Sequence, residues 1–194
     1  MGFARFWSSD CSHLQTRGKR VLPDRKNVER ASHADLELVL IEMKIIIVAH
    51  GKIKKGPEFE LISDYVTRFN KQFNNDFLTS LEISESNEIE GTFNTKVSQL
   101  LDGKETMVLL DKRGEHLDSE GFAKLLNTFS EKGINQISFI IGGSEGFPKL
   151  LTSKAKKILA VSKMVFPHKI ARLILVEQLY RAKCIINRHP YHKA

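Results

Sequence analysis

The sequence predicts one α/β domain in which a parallel sheet is covered by helices. From Met43 onward, compact apolar runs alternate with longer amphipathic stretches, which is typical of parallel strands joined by crossover helices. Proline and glycine stand where those helices would begin and end. A chain of 194 residues, 41% hydrophobic and 27% charged, has the size and composition of a single globular domain.

Strands and helices are predicted in strict alternation. The apolar runs predict strands at 44–51, 77–84, 106–111 and 136–143, and the stretches between them predict helices at 57–73, 89–103 and 119–133. Pro57 fits the first turn of a helix, and Gly103 and Gly133 fit helix ends. A helix over 147–157, a short strand near 158–162 and a long helix from about 167 to 187 complete the domain.

Residues 1–42 differ in kind from the rest of the chain. They hold the only tryptophan, Trp7, and show no periodic apolar face. They lack the apolar segment of a secretory signal, and their acidic residues argue against a transit peptide. We expect this extension to lie outside the core, as an upstream start codon would produce, and the domain to occupy residues 43–194.

Basic residues are concentrated at the C-terminal end. Residues 151–194 contain ten Lys and Arg but one acidic residue, Glu177, whereas the whole chain carries +7. Such a stretch predicts a surface that binds a polyanion, although a solvated basic face without a partner has the same composition. Charge alone does not distinguish DNA from RNA.

Composition argues against a membrane span, a disulfide framework and a metal site. The apolar runs are shorter than the ~20 residues of a membrane helix, so no membrane association is predicted. Cys11 and Cys184 are too few for a disulfide framework or a metal site. A reducing, cytoplasmic protein without a bound metal is therefore expected.

Three loops follow predicted strands and carry the residues of greatest interest. They are KRGEH (112–116), GGSEGF (142–147) and VSKMVFPH (161–168). Because ligands bind beyond the carboxyl ends of parallel strands, the three loops could line one pocket. GGSEGF lacks the glycine spacing of a dinucleotide-binding or phosphate-binding loop. The alternative to a ligand-binding loop is a plain strand-to-helix turn. The apolar residues of the third loop fit an adenine pocket or, alternatively, ordinary core.

The final helix and tail combine apolar and basic residues. Arg172, Arg181 and Lys183 are predicted on or beside the polar face, and the apolar face is formed by Ile170, Leu173, Ile174, Leu179 or Tyr180, and Ile185. The closing NRHPYHKA is either a frayed terminus or a group suited to stack on bases and bind phosphates.

Five motifs in register carry a resemblance to a known family. LLD followed by Gly114, IIGGSEGF, SKMVFPH, LVEQLYRA and HPYHK together resemble the pseudouridine N3-methyltransferases of the SPOUT superfamily, known as ribosomal RNA large subunit methyltransferase H. The resemblance runs from Met43 to Ala194, and residues 1–42 have no counterpart in the family pattern.

The resemblance implies a parallel-sheet SPOUT fold with a C-terminal deep trefoil knot, a homodimer, and methylation of 23S ribosomal RNA on the assembled ribosome rather than of DNA. The methyl donor would be S-adenosylmethionine. Its implied contacts are Leu110, Gly143, Val161, Ser162, Lys163, Met164, Val165 and Phe166.

The resemblance also implies roles for the tail. His192 and Arg181 are the candidate catalytic residues, and His189, Tyr191 and Arg188 are the candidate RNA-binding residues. Positioning of nucleophile and methyl group is expected to dominate catalysis. The competing hypothesis is a non-catalytic α/β protein that docks on ribosomal RNA, which would need no pocket at the three loops.

Overall fold

The computed structural model describes residues 42–71, 73, 76–86, 97, 106–143 and 146–191. The extension 1–41 and all of the predicted helix 89–103 except Val97 lie outside these residues. The elements within them are the strands β1 (Met43–His50), β2 (Leu78–Ser86), β3 (Thr106–His116), β4 (Gln136–Ile141) and β5 (Lys157–Ala160), and the helices α1 (Pro57–Lys71), α2 (Ser119–Glu131), α3 (Lys149–Lys154) and α4 (His168–Ile186).

The strands form one sheet in the order β2-β1-β4-β3-β5, and every described pairing is parallel. The prediction of a parallel α/β fold is therefore confirmed. Since all five strands run the same way, their carboxyl ends lie along one edge, and the loops after β1, β3, β4 and β5 share that edge.

Helices cover both faces of the sheet. Alternate β1 residues such as Ile45 and Ile47 pack with α1, α2 and α4 in the larger core, and Ile46 and Val48 pack toward Val97 and Leu151 of α3 on the other face. Strands buried on both faces need near-continuous apolar sequence, which is why β1 and β4 read as the unbroken runs IIIVA and FII.

Helix α4 corrects the predicted polar face. Arg172 and Lys183 are 0% and 1% exposed, because α4 packs against both α1 and α2 and is covered over a wide arc. The Lys183 ammonium donates to the carbonyls of Phe69 and Leu78, each at 2.8 Å, and burial lowers its pKa. Two of the three cations that the sequence placed on or beside the polar face of the final helix are therefore unavailable to a ligand.

Strand β3 continues beyond its predicted end at residue 111 and passes closely over β5. Both Leu110 and Glu115 pair with Leu159, with an irregularity between them. A Cβ at Gly114 would lie 2.5 Å from the carbonyl carbon of Leu159 and 2.8 Å from the amide nitrogen of Ala160. Only glycine lets the two segments approach this closely.

Across the part of the chain that the structure describes, no helix is long and apolar enough to cross a membrane.

Candidate methyl-donor site

A cavity of about 420 Å³ lies at the carboxyl edge of the sheet. Residues of all three segments singled out in the sequence line it, although KRGEH belongs to β3 rather than to a loop and contributes Lys112 alone. Seven of the eight predicted cofactor residues line it, and Lys163 does not; the lining residues among the eight are Leu110, Gly143, Val161, Ser162, Met164, Val165 and Phe166.

The segment between β5 and α4 forms an apolar wall of the cavity. Met164 and Val165 are 71% and 76% exposed, so two adjacent large apolar side chains stand on the surface at the cavity. Ser162 Oγ accepts a hydrogen bond from the Met164 amide at 3.0 Å, so a short local turn supports the wall. Pro167 then starts α4 without a side-chain cap.

The glycine loop after β4 leaves the sheet edge open. The ring of Phe147 packs on Gly142, where an added Cβ would lie 3.0 Å from the ring. Gly143 faces the imidazole of His50, at an ordinary contact distance of 3.7 Å from a Cβ built there. The fold would thus tolerate a larger side chain at 143, and Gly143 itself lines the cavity.

An aspartate provides negative charge on the cavity wall. The side chain of Asp111 is 8% exposed and accepts both a main-chain and two guanidinium hydrogen bonds from Arg113, at 2.9–3.0 Å. Hydrogen bonding from Arg113 lowers the pKa of the Asp111 carboxyl. The wall therefore presents an ionised carboxylate at neutral pH.

A buried arginine holds α4 in place beside the cavity. Arg172 forms an ion pair with Glu85 and donates to the carbonyls of His50 at 3.1 Å and Gly51 at 2.8 Å. These bonds join the ends of β1 and β2 to the first turns of α4. Burial, with a smaller effect of neighbouring charges that include Arg172, lowers the pKa of His168, so that its imidazole on the cavity wall is neutral at pH 7.

The predicted tail residues lie away from this cavity. Arg181 pairs with Glu177 at 2.6 Å, and the Tyr191 hydroxyl bonds Glu177 at 3.1 Å and Tyr65 at 3.2 Å. Burial together with these partners raises the pKa of Tyr191 well above its ordinary value. The tail is therefore packed onto α4 and α1 as far as Tyr191, and is not a frayed end up to that residue.

The remaining tail candidates are His189, Arg188 and His192. His189 accepts a hydrogen bond from the Tyr191 amide at 3.2 Å and packs edge-on against Phe73. Arg188 is exposed and has a φ of 53°. His192 lies outside the described residues. Within this chain, none of the described tail candidates lines the cavity.

Several lining residues were not named from the sequence. Asp111, Phe147 and His168 all belong to the three loops or their flanks, so the strand-end rule reaches their segments. Which residue of a loop points inward depends on loop geometry that periodicity does not encode.

A parallel α/β sheet with a cavity of this size at its carboxyl edge is the architecture of a protein that binds a nucleotide-sized ligand. The family model described as "Predicted SPOUT methyltransferase" matches residues 43–192. The chain belongs to this family of SPOUT methyltransferases, which confirms the family predicted from the motifs.

Curated relatives agree with the family match. The chain is 38% identical over 162 residues to "Ribosomal RNA large subunit methyltransferase H" of Sinorhizobium medicae, covering 78% of this chain and 100% of the relative. It is 36% identical over 160 residues to the protein of that name from Rhizobium rhizogenes, covering 78% and 99%.

Solved structures give weaker likenesses. A probable methylase family protein from Haemophilus influenzae has a TM-score of 0.47 at 11% identity, covering 80% of this chain and 72% of that one. The SpoU methyltransferase AviRb from Streptomyces viridochromogenes has a TM-score of 0.39 at 11% identity, covering 79% and 63%. The family assignment depends on the sequence matches alone.

Proposed function

We propose that this protein transfers the methyl group of S-adenosylmethionine to N3 of a pseudouridine in the large-subunit ribosomal RNA. The observation that carries the proposal is the convergence of seven predicted donor contacts on one cavity in a chain of the SPOUT methyltransferase family. The names of the curated relatives supply the class of substrate.

The chemistry of the cavity fits this donor. A flat adenine needs apolar groups on its faces and main-chain groups at its edge, and the wall from Val161 to Phe166 offers both. The donor carries a cationic sulfonium, and Asp111, whose carboxylate is already paired with Arg113, is the acidic residue that lines the cavity. Lys163 is left out of the proposed contacts because it does not line the cavity.

When bound, S-adenosylmethionine supplies an activated methyl group. The protein's own contribution is to hold the donor, exclude water and align the incoming N3 with the methyl carbon. Gly143 permits close approach at the sheet edge, and the apolar wall excludes water. No residue of the described tail lines this chain's cavity, so the tail would act on the target nucleotide from a partner subunit.

We therefore also propose a homodimer in which His189, Tyr191 and Arg188 of one subunit contact RNA at the cavity of the other, with His192 and Arg181 nearest the reaction. The exposed Met164 and Val165 are consistent with a second surface covering the cavity mouth. Arg181 would serve through its fixed position, since Glu177 already holds its guanidinium.

A trefoil knot belongs to the same proposal. Its support is the stretch 110–116, which pairs twice with Leu159 and leaves room at Gly114 for main chain only. The assembled ribosome as substrate and the cytoplasm as location complete the proposal.

Calorimetric titration with S-adenosylmethionine tests the site. The wild-type chain should bind it, and Gly143→Val should lose binding while keeping its thermal unfolding midpoint, since the nearest described atoms to an added Cβ are those of the His50 imidazole at an ordinary contact distance of 3.7 Å or more. Thr152→Val, a substitution of a half-buried α3 residue that does not line the cavity, is the control and should bind normally. Equal affinity of Gly143→Val and wild type would exclude this cavity as the donor site. Ribosome binding without donor binding would instead support the non-catalytic alternative.

A further inference from the structure

The loop between β1 and α1 carries three lysines in four residues, Lys52, Lys54 and Lys55. All three side chains are exposed, and between them Ile53 is buried at 5% exposure. The loop is bounded by Gly51 and Gly56, whose φ angles are 79° and 113°. The chain thus turns sharply at both ends while one apolar anchor holds the middle.

The main chain of this loop is held in place from three directions. The amide of Ile53 donates to the Glu85 carboxylate at 3.1 Å, and the amide of Gly51 donates to the Ser86 carbonyl at 2.7 Å. Arg172 binds the Gly51 carbonyl and the same Glu85 carboxylate. A run of lysines on a mobile segment would be an ordinary solvated surface. Here the main chain that carries the lysines is held by hydrogen bonds.

The loop lies at the edge where the donor cavity opens. It follows β1, whose carboxyl end adjoins that of β4, and the imidazole of His50 would lie 3.7 Å from a Cβ built on Gly143 of the cavity. The guanidinium of Arg172 joins the loop to α4 directly after the cavity wall. Exposed Lys163 and Lys169 extend the positive charge around the same edge.

Acidic groups nearby cancel only part of this charge. Glu85 is paired with Arg172, and Asp111 with Arg113. Glu58 and Glu60 in the first turn of α1 reduce the net charge beside the loop, which still presents three exposed ammonium groups. On α4, by contrast, Arg172 and Lys183 are buried and Arg181 is paired with Glu177, so the charge that the sequence concentrates there is only partly available.

We propose that Lys52, Lys54 and Lys55 form a preorganised phosphate-binding loop that holds the RNA backbone beside the donor cavity. The inference rests on the proposed function for the identity of the polyanion. Its role is to anchor RNA through phosphates, which positions the strand without reading its sequence. Fixing the lysines in advance reduces the ordering cost of binding.

The test compares two triple variants of equal charge. In the loop variant Lys52, Lys54 and Lys55 become Gln. In the control variant Lys71, Lys124 and Lys132 become Gln; these are also exposed, and Lys71 and Lys132 stand at the far ends of α1 and α2, away from the carboxyl edge. Binding to purified large ribosomal subunits, without methyl donor, is measured over about 0.05 to 0.3 M KCl.

The loop variant should bind about 10- to 100-fold more weakly at ~0.1 M salt, and the slope of log affinity against log salt should be shallower by about 2 to 3. The control should keep the wild-type slope, and both variants should bind S-adenosylmethionine normally. Replacement of the three loop lysines by Arg should restore subunit binding. Wild-type slope in the loop variant, or an equal loss in the control, would overturn the proposal. Because the assay contains no methyl donor, its result concerns RNA binding by the loop alone. Failure of the wild type to transfer methyl groups would instead count against the proposed function.

Discussion

Replacing Arg172 by Met should remove the buried clamp between β1, β2 and α4. The Arg172 guanidinium is 0% exposed and satisfies the Glu85 carboxylate and the carbonyls of His50 and Gly51. Removing the guanidinium takes this donor from two carbonyls and from the Glu85 carboxylate, whose side chain is 26% exposed, at a cost of about 3 kcal/mol, the lower end of the range for breaking a buried pair. Because Met fills much of the vacated volume, the lost free energy of unfolding comes mainly from the missing ion pair and hydrogen bonds.

Urea denaturation of wild type and variant measures this cost. Arg68→Met is the matched control, because the Arg68–Asp64 pair is close to half exposed on both sides, and its loss should cost at most ~1 kcal/mol. Glu85→Gln offers a milder probe that keeps an acceptor oxygen. A free-energy loss in Arg172→Met no larger than that of Arg68→Met would refute the view that this arginine fixes the loop.

Further predictions concern stability and the tail. Gly114→Ala should lower the thermal midpoint markedly, since its methyl would meet the Leu159 main chain; an unchanged midpoint would show that β3 and β5 can separate. Because the folded-state pKa of His168 lies below its ordinary 6.5, stability should fall as pH drops below about 6.5, and His168→Gln should show a smaller fall in pH-dependent denaturation. A chain starting at Met43 should keep the wild-type midpoint and donor affinity, and a marked loss of either would show that residues 1–42 support the domain. Deleting residues 189–194 should leave donor affinity in calorimetry nearly intact while abolishing methyl transfer to ribosomes, and full activity would remove the tail from the catalytic proposal.

The sequence was most informative where chemistry depends on local pattern. The apolar runs around Ile45 and Phe139 predicted strands buried on both faces, and the strand-end rule brought the glycine loop and the Val161–Phe166 wall to one edge of the sheet. The motifs predicted the family, and the family match confirms it.

Long-range packing explains what the sequence did not predict. Helical periodicity considers the hydropathy of one helix alone, and on that basis Arg172 and Lys183 were predicted on the polar face. Their hydrogen-bond partners are carbonyls of β1, α1 and β2, which lie more than 100 residues away in the sequence. The passage of residues 111–116 over β5 likewise depends on tertiary contact, and in the sequence Gly114 gives no more than a turn signal.

Mapping the modification made by the purified protein shows which atom of which base it methylates. Large subunits lacking the methyl group would be incubated with the protein and S-adenosylmethionine, and the RNA digested and analysed by mass spectrometry. We expect the wild type to add one new methyl group to N3 of a pseudouridine, and we expect no such methyl group from Gly143→Val. Methylation of another atom or base would contradict the assigned reaction, and absence of any methyl transfer by a chain that binds the donor would contradict the assigned substrate.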